Sequence, residues 1–381
     1  MDDWNRTAMD RKVAFWQRRM PGQILAVVSA RSSHAEPSRW ERYCREHDLE
    51  TERIGTRPPL FEDPARLFEM CEARVSLPEE SSQPPVRTDT VRVPGCTPTV
   101  HFGEGIHGAF FGGKVRFSSS DVKTESVCDP VITDWAQLDG LRFDESHPWV
   151  QRVLGVLRYF VERGFGRLVL APYCTIDGLN FALFMRGASN AFMDTYDSRP
   201  QLRRLFDLGF DTTIRYWDLQ RAIIEESNEA AIGHPEFARL GPFHAKPGLS
   251  VDAYGLCRVE VFEEIGREHL QRLVDYYGGG FLHIHSRGHH LAPAVGKVRG
   301  ITQIDCGEDP GWERAFPKIR YFRDATGDTP LMVRCTLEEF RRGLRDGSLP
   351  GGVTYYVQGA CETADEANRL MDRVREYRVS G

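Results

Sequence analysis

The sequence lacks both a surplus of positive charge and any long apolar run. Its 381 residues include 49 lysines and arginines against 55 aspartates and glutamates, a formal net charge of −6. Because there is no basic surplus to neutralise phosphates, a nucleic-acid partner is not expected. The longest apolar stretches, such as residues 23–28, have the length of a strand and are too short to span a bilayer, so no membrane segment is expected.

The sequence also lacks a disulfide framework. The nine cysteines are odd in number and scattered, and no Cys-x-x-Cys pair occurs. This usage fits a reduced compartment better than an extracellular one. Residues 1–6 are polar and lack the apolar stretch of a signal peptide. We therefore expect a cytoplasmic protein, and a homodimer is one expectation for its assembly.

Strands and helices alternate along most of the chain. A Pro- and Ser-rich loop or linker occupies residues 77–85, and a regular alternation follows from about residue 140. Predicted strands lie at residues 167–171, 247–251, 281–285, 301–304, 331–333 and 353–357. Such alternation implies parallel strands joined by helical crossovers. No Gly-rich dinucleotide fingerprint follows any strand, which disfavours a doubly wound sheet. We expect an α/β protein, a (β/α)8 TIM barrel at residues 96–381 with an N-terminal helical extension, residues 1–95, packing on it.

Histidines cluster in one short segment. Four of the twelve fall at positions 283, 285, 289 and 290. Alternate residues of a strand share a face, so His283 and His285 should point the same way and could act as metal ligands, a general base or substrate contacts. The alternative is a pair of hydrogen-bonded structural histidines. His289 and His290 lie beyond the turn and are expected to be solvated.

In a barrel of this kind, the active site collects at the C-terminal ends of the strands. Polar residues and cysteines that follow successive predicted strands are Tyr173, Cys174, Asp177, Asp252, Tyr254, His283, His285, Arg287, Asp305, Cys306, Glu308, Arg334, Cys335, Gln358 and Cys361. Of these, Asp252, His285 and Glu308 are the expected catalytic residues. The expected substrate contacts are Tyr173, Arg287, Asp305, Arg334 and Gln358.

Each of these assignments has a structural alternative. The carboxylates at strand ends suit an acid, a base or a metal ligand, or else they form salt bridges with Arg258, Arg287 or Arg334. Arg287 and Arg334 would suit the carboxylate of an anionic substrate. Cys361 lies between a strand and a capped helix, where a thiol has a lowered pKa and can bind a metal or act as a nucleophile. The alternative for Cys361 is a buried, inert cysteine.

Four segments follow a known family pattern in order and spacing. Residues 194–200 look like the turn before a family helix, residues 249–273 like its Asp-containing strand and following helix, residues 281–288 like its strand ending in His-x-Cys-Gly, and residues 359–377 like its terminal Gly-Cys loop and helix. On these motifs the chain resembles the uroporphyrinogen decarboxylase superfamily, specifically its cobalamin-dependent methyltransferase-like branch. The resemblance covers residues 95–381, about three quarters of the chain.

The resemblance implies a zinc site made by one histidine and two cysteines. His285 matches the histidine and Cys361 the later cysteine, but Arg287 stands where the first cysteine belongs, and arginine cannot bind zinc. A shifted alignment gives His283, His285 and Cys361, a set that zinc accepts with one position left open. The chain lacks the Asp-x-His-x-x-Gly signature of a corrinoid-binding domain. A separate corrinoid protein is therefore the expected partner.

The resemblance thus predicts an enzyme that moves a methyl group between a small molecule and a corrinoid protein. One alternative is a metal-free decarboxylase or lyase that grips an anionic substrate through Arg287 and Arg334. The N-terminal arginine motif of the decarboxylase branch, RQAGR, is absent, and the nearest candidate, WQRR at residues 16–19, does not match it. The other alternative is a barrel that has lost its chemistry.

Overall fold

The computed structural model describes residues 3–31, 38–49, 55, 57–75, 86–173, 176–242 and 244–379. Its strands are β1 (Ile24–Ala30), β2 (Gly95–Cys96), β3 (Val115–Ser119), β4 (Thr124–Cys128), β5 (Val169–Leu170), β6 (Gly248–Ser250), β7 (Phe281–Ile284), β8 (Gln303–Cys306), β9 (Leu331–Thr336) and β10 (Val353–Cys361). Its helices are α1 (Asp3–Trp16), α2 (Arg39–Glu46), α3 (Pro64–Arg74), α4 (Ile106–Ala109), α5 (Pro148–Gly164), α6 (Gly178–Arg186), α7 (Ala188–Asp197), α8 (Arg199–Ile232), α9 (Pro235–Leu240), α10 (Val259–Val261), α11 (Arg267–Tyr277), α12 (Ala292–Val295), α13 (Ile319–Thr326), α14 (Leu337–Asp346) and α15 (Ala364–Glu376).

Eight of the ten strands are parallel and fall into two sheets. The larger sheet has six strands in the order β1-β10-β9-β8-β7-β6, and β2 pairs with β5 in a second sheet. The first strand of the chain pairs with the last, since Ile24 lies opposite Val353. β3 and β4 form an antiparallel hairpin. The expected α/β class is confirmed. The expected closed barrel is not, because no hydrogen-bond ladder joins the two parallel sheets within the residues described here.

Side chains form hydrogen bonds with backbone groups of β1 and β5 at the edges where the two parallel sheets do not join. The Ala26 N–H donates to Asp89 Oδ2 at 2.9 Å, and the Asp89 N–H donates to the Ala26 carbonyl at 3.0 Å. On β5, the Leu170 N–H donates to Asn228 Oδ1 at 2.8 Å, and Asn228 Nδ2 donates to the Leu170 carbonyl at 2.7 Å. Buried strand edges would otherwise leave costly unpaired polar groups, so these contacts stabilise both edges.

The helices begin and end where local sequence chemistry dictates. Pro148 opens α5, and the left-handed Gly233 (φ 62°) ends α8. A reciprocal capping box between Thr336 and Glu339 starts α14. The apolar faces of the helices pack on the main sheet and form the largest core cluster. None of the described helices combines the length and apolar character that a membrane crossing requires.

The division expected at residue 95 does not separate two sheets. β1 belongs to the six-stranded sheet, and the expected boundary falls inside β2. Residues 1–95 therefore supply a strand of the main sheet as well as helices. The linker expected at residues 77–85 lies outside the described residues, and the hairpin of β3 and β4 has no counterpart in the sequence-based prediction.

Candidate active site

One carboxylate and two imidazoles meet at the C-terminal ends of β6 and β7. Asp252 comes two residues after β6, His283 lies in β7, and His285 follows β7 directly. His283 Nε2 lies 3.1 Å from Asp252 Oδ1, and His285 Nε2 lies 3.7 Å from the same oxygen. One donor atom of each residue lies within 4.8 Å of the other two. The expectation that His283 and His285 point the same way agrees with this geometry.

Two glycines hold the loops that carry these residues in close contact. A Cβ atom on Gly255 would lie 3.2 Å from the backbone nitrogen of Gly288. The loop after β6 and the loop after β7 therefore touch through their main chains, and a side chain at Gly255 would push Asp252 away from His285. Gly288 occupies the glycine position of the His-x-Cys-Gly pattern.

Asp309 orients the His285 ring. His285 Nδ1 lies 2.7 Å from Asp309 Oδ1, and Asp309 Oδ2 accepts a hydrogen bond from the Ser286 N–H at 3.0 Å. The Ser286 hydroxyl in turn accepts from the Asp309 N–H at 2.9 Å. A carboxylate on one ring nitrogen fixes the tautomer and leaves the other nitrogen free, as in many metal-binding histidines. The free nitrogen of His285 is Nε2, which faces Asp252.

The donor set fits a divalent metal ion such as zinc. Asp252 Oδ1 is buried and accepts no hydrogen bond, although both imidazole Nε2 atoms point towards it. An unsatisfied buried carboxylate oxygen is costly, and a cation between it and the imidazoles would remove that cost. Two imidazoles and one carboxylate, with a further position open to solvent, form a known type of catalytic zinc site.

The ionic contacts of the site also set the pKa values of His283 and Asp252. Burial opposes the charged form of His283, but its hydrogen bond with Asp252 and the negative charges of Asp252, Asp305 and Asp177 prevail and raise its pKa. For Asp252, burial acts upwards, and the hydrogen bond and charge of His283 outweigh it, so its pKa is lowered. Without metal, the two residues therefore favour the charged pair.

The charge of Asp252 contributes to the raised pKa values of two further carboxyl groups, those of Asp177 and Glu104. Burial raises the pKa of Asp177 to about 7, despite its hydrogen bonds with the backbone of Asn180 and Leu179. Burial also raises the pKa of Glu104, and the charge of Asp252 raises it further. Asp177 caps α6, so its position is fixed by the helix. The site therefore carries more carboxyl groups than cations.

Most of the other charged residues expected at the site are engaged in their own contacts. Arg334 and Asp305 form a two-bonded ion pair at 2.9 and 3.2 Å. The Arg287 guanidinium lies 4.7 Å from the ring centre of Trp312. Glu308 Oε1 accepts from the Ala315 N–H at 3.1 Å, which ties Glu308 to the loop that follows β8. The structure therefore does not bring Glu308 to the three metal-binding candidates.

The structure does not bring Cys361 to the histidines either. β10 continues to Cys361, which pairs with Ala30 and is fully buried, so the residue lies within the sheet and not in a loop before a helix. Burial raises the pKa of its thiol, and the Arg341 guanidinium donates to its sulfur at 3.6 Å. No three-residue group of close donors among the described residues contains Cys361. The close donors that include the two histidines are therefore Asp252, His283 and His285, and Cys361 is not among them.

The remaining expected residues have varied surroundings. Gln358 is exposed on β10, and Tyr173 is buried beside a cavity near Glu104. Cys174 lies outside the described residues. His289, expected to be solvated, is instead 4 % exposed, with Nε2 lying 3.0 Å from the Gly307 carbonyl.

Sequence reasoning missed Asp309 and Glu104. Asp309 lies next to Glu308 and only four residues after Asp305, so a fuller reading of the acidic stretch after β8 could have included it. Glu104 lies in a Gly-Glu-Gly segment far from any predicted strand end, and no pattern in the sequence connects it to β6 or β7.

Comparisons with known proteins support the fold. No family model matches the chain, and no curated protein sequence matches it significantly. The chain is similar in structure to a methyltransferase from Methanosarcina mazei, with a TM-score of 0.50 and 12 % sequence identity. The alignment covers 90 % of this chain and 99 % of the other. At this identity the likeness concerns the fold, which this chain therefore shares with that methyltransferase over most of its length.

Proposed function

We propose that this protein is a metal-dependent methyltransferase. The observation that carries the proposal is the meeting of Asp252, His283 and His285 at the C-terminal ends of adjacent parallel strands, with His285 oriented by Asp309. The fold shared with a methyltransferase supports the choice of reaction. The four family-like segments of the sequence support membership of the uroporphyrinogen decarboxylase superfamily.

We further propose that the eight parallel strands are a (β/α)8 barrel with two open seams. Taken in chain order without the hairpin, they run β1, β2, β5, β6, β7, β8, β9 and β10, and the last pairs with the first as closure requires. The seams lie between β1 and β2 and between β5 and β6. In such a barrel the active site lies at the C-terminal ends of the strands, where the three candidate metal ligands are found.

Asp252, His283 and His285 would hold a zinc ion, which supplies Lewis acidity towards a substrate heteroatom. Asp309 keeps the proton on Nδ1 of His285 and leaves Nε2 available. Asp305 of β8 and Arg334 of β9 form an ion pair on the next two strands. The negative charge of Asp305 also helps to raise the pKa of His283. Solvent reaches the three candidate metal ligands, since the side chain of His285 is 47 % exposed.

A separate corrinoid protein is the proposed partner in methyl transfer. The proposal rests on the family resemblance together with the missing corrinoid-binding signature in this chain. The alternative of a lyase acting on an anionic substrate has less support, because the charge of Arg334 is already neutralised by Asp305. Arg287, stacked on Trp312, is the remaining arginine of that alternative.

The test is a methyl-transfer assay with zinc-loaded protein. Methylcobalamin is supplied as a free methyl donor together with a panel of thiols and amines, and its demethylation is followed by its change in visible absorbance. We expect turnover by the wild type and a loss of at least about a hundredfold in Asp252→Asn and His285→Ala, as for removal of a group essential to transition-state stabilisation.

The matched control is Cys361→Ala, which removes the other candidate ligand without touching the three-residue group. It should retain activity within about threefold, provided that its circular dichroism spectrum matches the wild type. Equal activity of wild type and His285→Ala would contradict the proposal, as would an active enzyme that depends on Cys361 and not on Asp252.

A further inference from the structure

A cavity of about 500 Å³ lies between the hairpin of β3 and β4, the segment before α4, and two aromatic residues. Val100 and Val127 form apolar parts of its lining and are 51 % and 58 % exposed. Tyr173 and Phe184 add two aromatic rings to the lining. Exposed apolar side chains around a concave surface are typical of a ligand site rather than of ordinary protein surface.

A rigid segment presents Glu104 to this cavity. Gly103 has a φ of +66°, and a Cβ there would lie 2.4 Å from the backbone nitrogen of Ser126. A Cβ on Gly105 would lie 2.8 Å from the carbonyl carbon of Val127. Both glycines therefore pack directly against the β4 backbone, and the carboxylate between them is held at the cavity wall.

Glu104 is the charge in this cavity that remains without a partner. Arg116 pairs with Asp129 at 2.5 Å, and Lys123 pairs with Glu125. Across the described ranges, the Glu104 carboxylate forms neither an ion pair nor a hydrogen bond. Glu104 is an exposed residue at the cavity wall, and partial desolvation nevertheless raises its pKa. The cavity thus carries an uncompensated negative charge next to aromatic rings.

The aromatic rings are supported from behind by a buried histidine. The His107 ring centre lies 5.5 Å from that of Tyr173 and 5.9 Å from that of Phe184. Burial lowers the pKa of His107 to about 4, so it stays neutral and adds no positive charge to the wall. Aromatic faces combined with a carboxylate are the elements that bind quaternary ammonium groups.

We propose that this cavity binds the alkylated ammonium group of a small molecule, with Glu104 as its counter-ion and Tyr173 and Phe184 as aromatic walls. The role of the ammonium compound as methyl donor rests on the proposed methyl transfer. Its binding to the cavity requires neither a metal nor a corrinoid. Besides burial, the charge of Asp252 raises the pKa of Glu104 and that of His283 lowers it.

In the transfer step, the C–N bond of the quaternary ammonium breaks, the nitrogen keeps the electron pair, and the methyl group bonds to the nucleophile that the reduced corrinoid partner supplies. The nitrogen leaves as a tertiary amine, which takes up a proton from water at neutral pH because aliphatic amines are basic.

Isothermal titration calorimetry of the metal-free full-length protein tests the proposal with two probes of the same shape. Choline carries the ammonium charge, and 3,3-dimethylbutan-1-ol is its uncharged isostere. We expect choline to bind at least about tenfold more tightly than the isostere. Equal affinities of the two probes, or no binding of choline, would overturn the proposal.

Two variants locate the binding site. Glu104→Gln should weaken choline binding about tenfold, and Phe184→Leu about threefold, while binding of the isostere stays nearly the same. Glu162→Gln, an exposed carboxylate of α5 away from the cavity lining, should change neither. Choline binding that is indifferent to Glu104 would refute the assigned counter-ion.

Asp252→Asn separates this proposal from the metal site. This variant should lose zinc while binding choline within about twofold of the wild type, since Asp252 is not part of the cavity lining and salt screens its charge. If choline binds as expected but no zinc is found in any variant, the cation site stands and the proposed metal centre fails. If zinc is found but choline does not bind, the proposed metal centre stands and the cation site fails.

Discussion

At the scale of single residues, the candidate site depends on how His285 is held. Asp309 fixes Nδ1 of the ring, and Asp309 is itself fixed by reciprocal hydrogen bonds with Ser286. His283 has its Nε2 directed at Asp252 at 3.2 Å. Both imidazoles therefore present Nε2 to the same carboxylate, and the free energy of metal binding should depend on the residue behind His285 as well as on the ligands.

Replacing Asp309 by alanine should weaken zinc binding. The His285 ring would lose the partner that sets its tautomer and orientation, and such changes lower metal affinity by about 10- to 100-fold. Competition with a chromophoric chelator measures the affinity directly. Asp346→Ala, at the exposed end of α14, is the matched control and should leave zinc affinity unchanged. An Asp309→Ala protein that binds zinc as tightly as wild type would show that Asp309 has no orienting role.

The buried carboxyl of Asp177 should make stability depend on pH. Burial raises its pKa to about 7, whereas an aspartate in the unfolded chain titrates near 4. Folding therefore favours the protonated form. The resulting cost is absent below the unfolded pKa, grows as pH rises between the two values, and is complete above about pH 7.

Asp177→Asn keeps an oxygen acceptor for the Leu179 and Asn180 N–H groups but cannot ionise. We expect it to increase the free energy of unfolding by about 1–3 kcal/mol at pH 8, and by roughly a third of that at pH 5, in the metal-free protein. The lost hydrogen bond from Asn180 Nδ2 to Asp177 Oδ2 affects stability at both pH values alike. Denaturant unfolding at the two pH values measures the difference, and a gain that is equal at both would exclude the assigned pKa.

At the scale of secondary-structure elements, side-chain amides take the place of missing strand partners. Asn228 of α8 reaches β5 and pairs with both backbone groups of Leu170. Gln220, two turns earlier on the same helix, accepts from the Tyr173 N–H at 3.0 Å. The long helix therefore acts as a partner for the chain from β5 onwards, and this connection holds the cavity wall at Tyr173 in place.

Asn228→Ala should destabilise the protein strongly for a single substitution. The side chain of Asn228 is fully buried, and its removal leaves the N–H and carbonyl of Leu170 without partners. We expect a loss of about 2–6 kcal/mol in the free energy of unfolding, from about 1–3 kcal/mol for each of the two unsatisfied groups. Asn190→Ala removes an exposed asparagine and should cost no more than about 0.5 kcal/mol. Similar costs for both variants would mean that water replaces Asn228 at the edge of β5.

Sequence patterns predicted the regular elements better than the irregular ones. The strand that carries His283 was predicted, because the alternation of its side chains depends on residues close in sequence. β2 and β5 have two residues each, which is too short for a periodic pattern, and the five-residue strands of the hairpin, β3 and β4, were not predicted. The end of β10 was placed four residues too early, and Cys361 was consequently assigned to a loop.

The candidate site was predicted in part for the same reason. Alternation along β7 was enough to pair His283 with His285, and a strand end was enough to select Asp252. The choice between Asp309 and Glu308 depends on how the loop after β8 turns. The approach of Glu104 depends on the packing of Gly103 against Ser126, a contact across the fold that the sequence does not encode locally.

At the scale of the whole molecule, the candidate metal ligands lie at one edge of the main parallel sheet. Candidate residues come from β6, β7, β8 and β9, which are neighbours in the main sheet. The cavity, with Glu104 in its lining, is formed largely by the segment before α4 and the hairpin of β3 and β4, outside that sheet. The pairing of the first strand with the last joins residues 1–95 to this sheet, so these residues are part of the structure that supports the site.

The metal content of the purified protein tests the central claim most directly. Elemental analysis should find about one zinc per chain in the wild type and in Cys361→Ala, and none in Asp252→Asn or His283→Ala. Glu229→Gln serves as a second control, because Glu225, Glu229 and His244 form another group of close donors, and it should keep its zinc. A wild type that is metal-free and does not take up added zinc would contradict the account, as would zinc that is lost from Cys361→Ala but kept by His283→Ala.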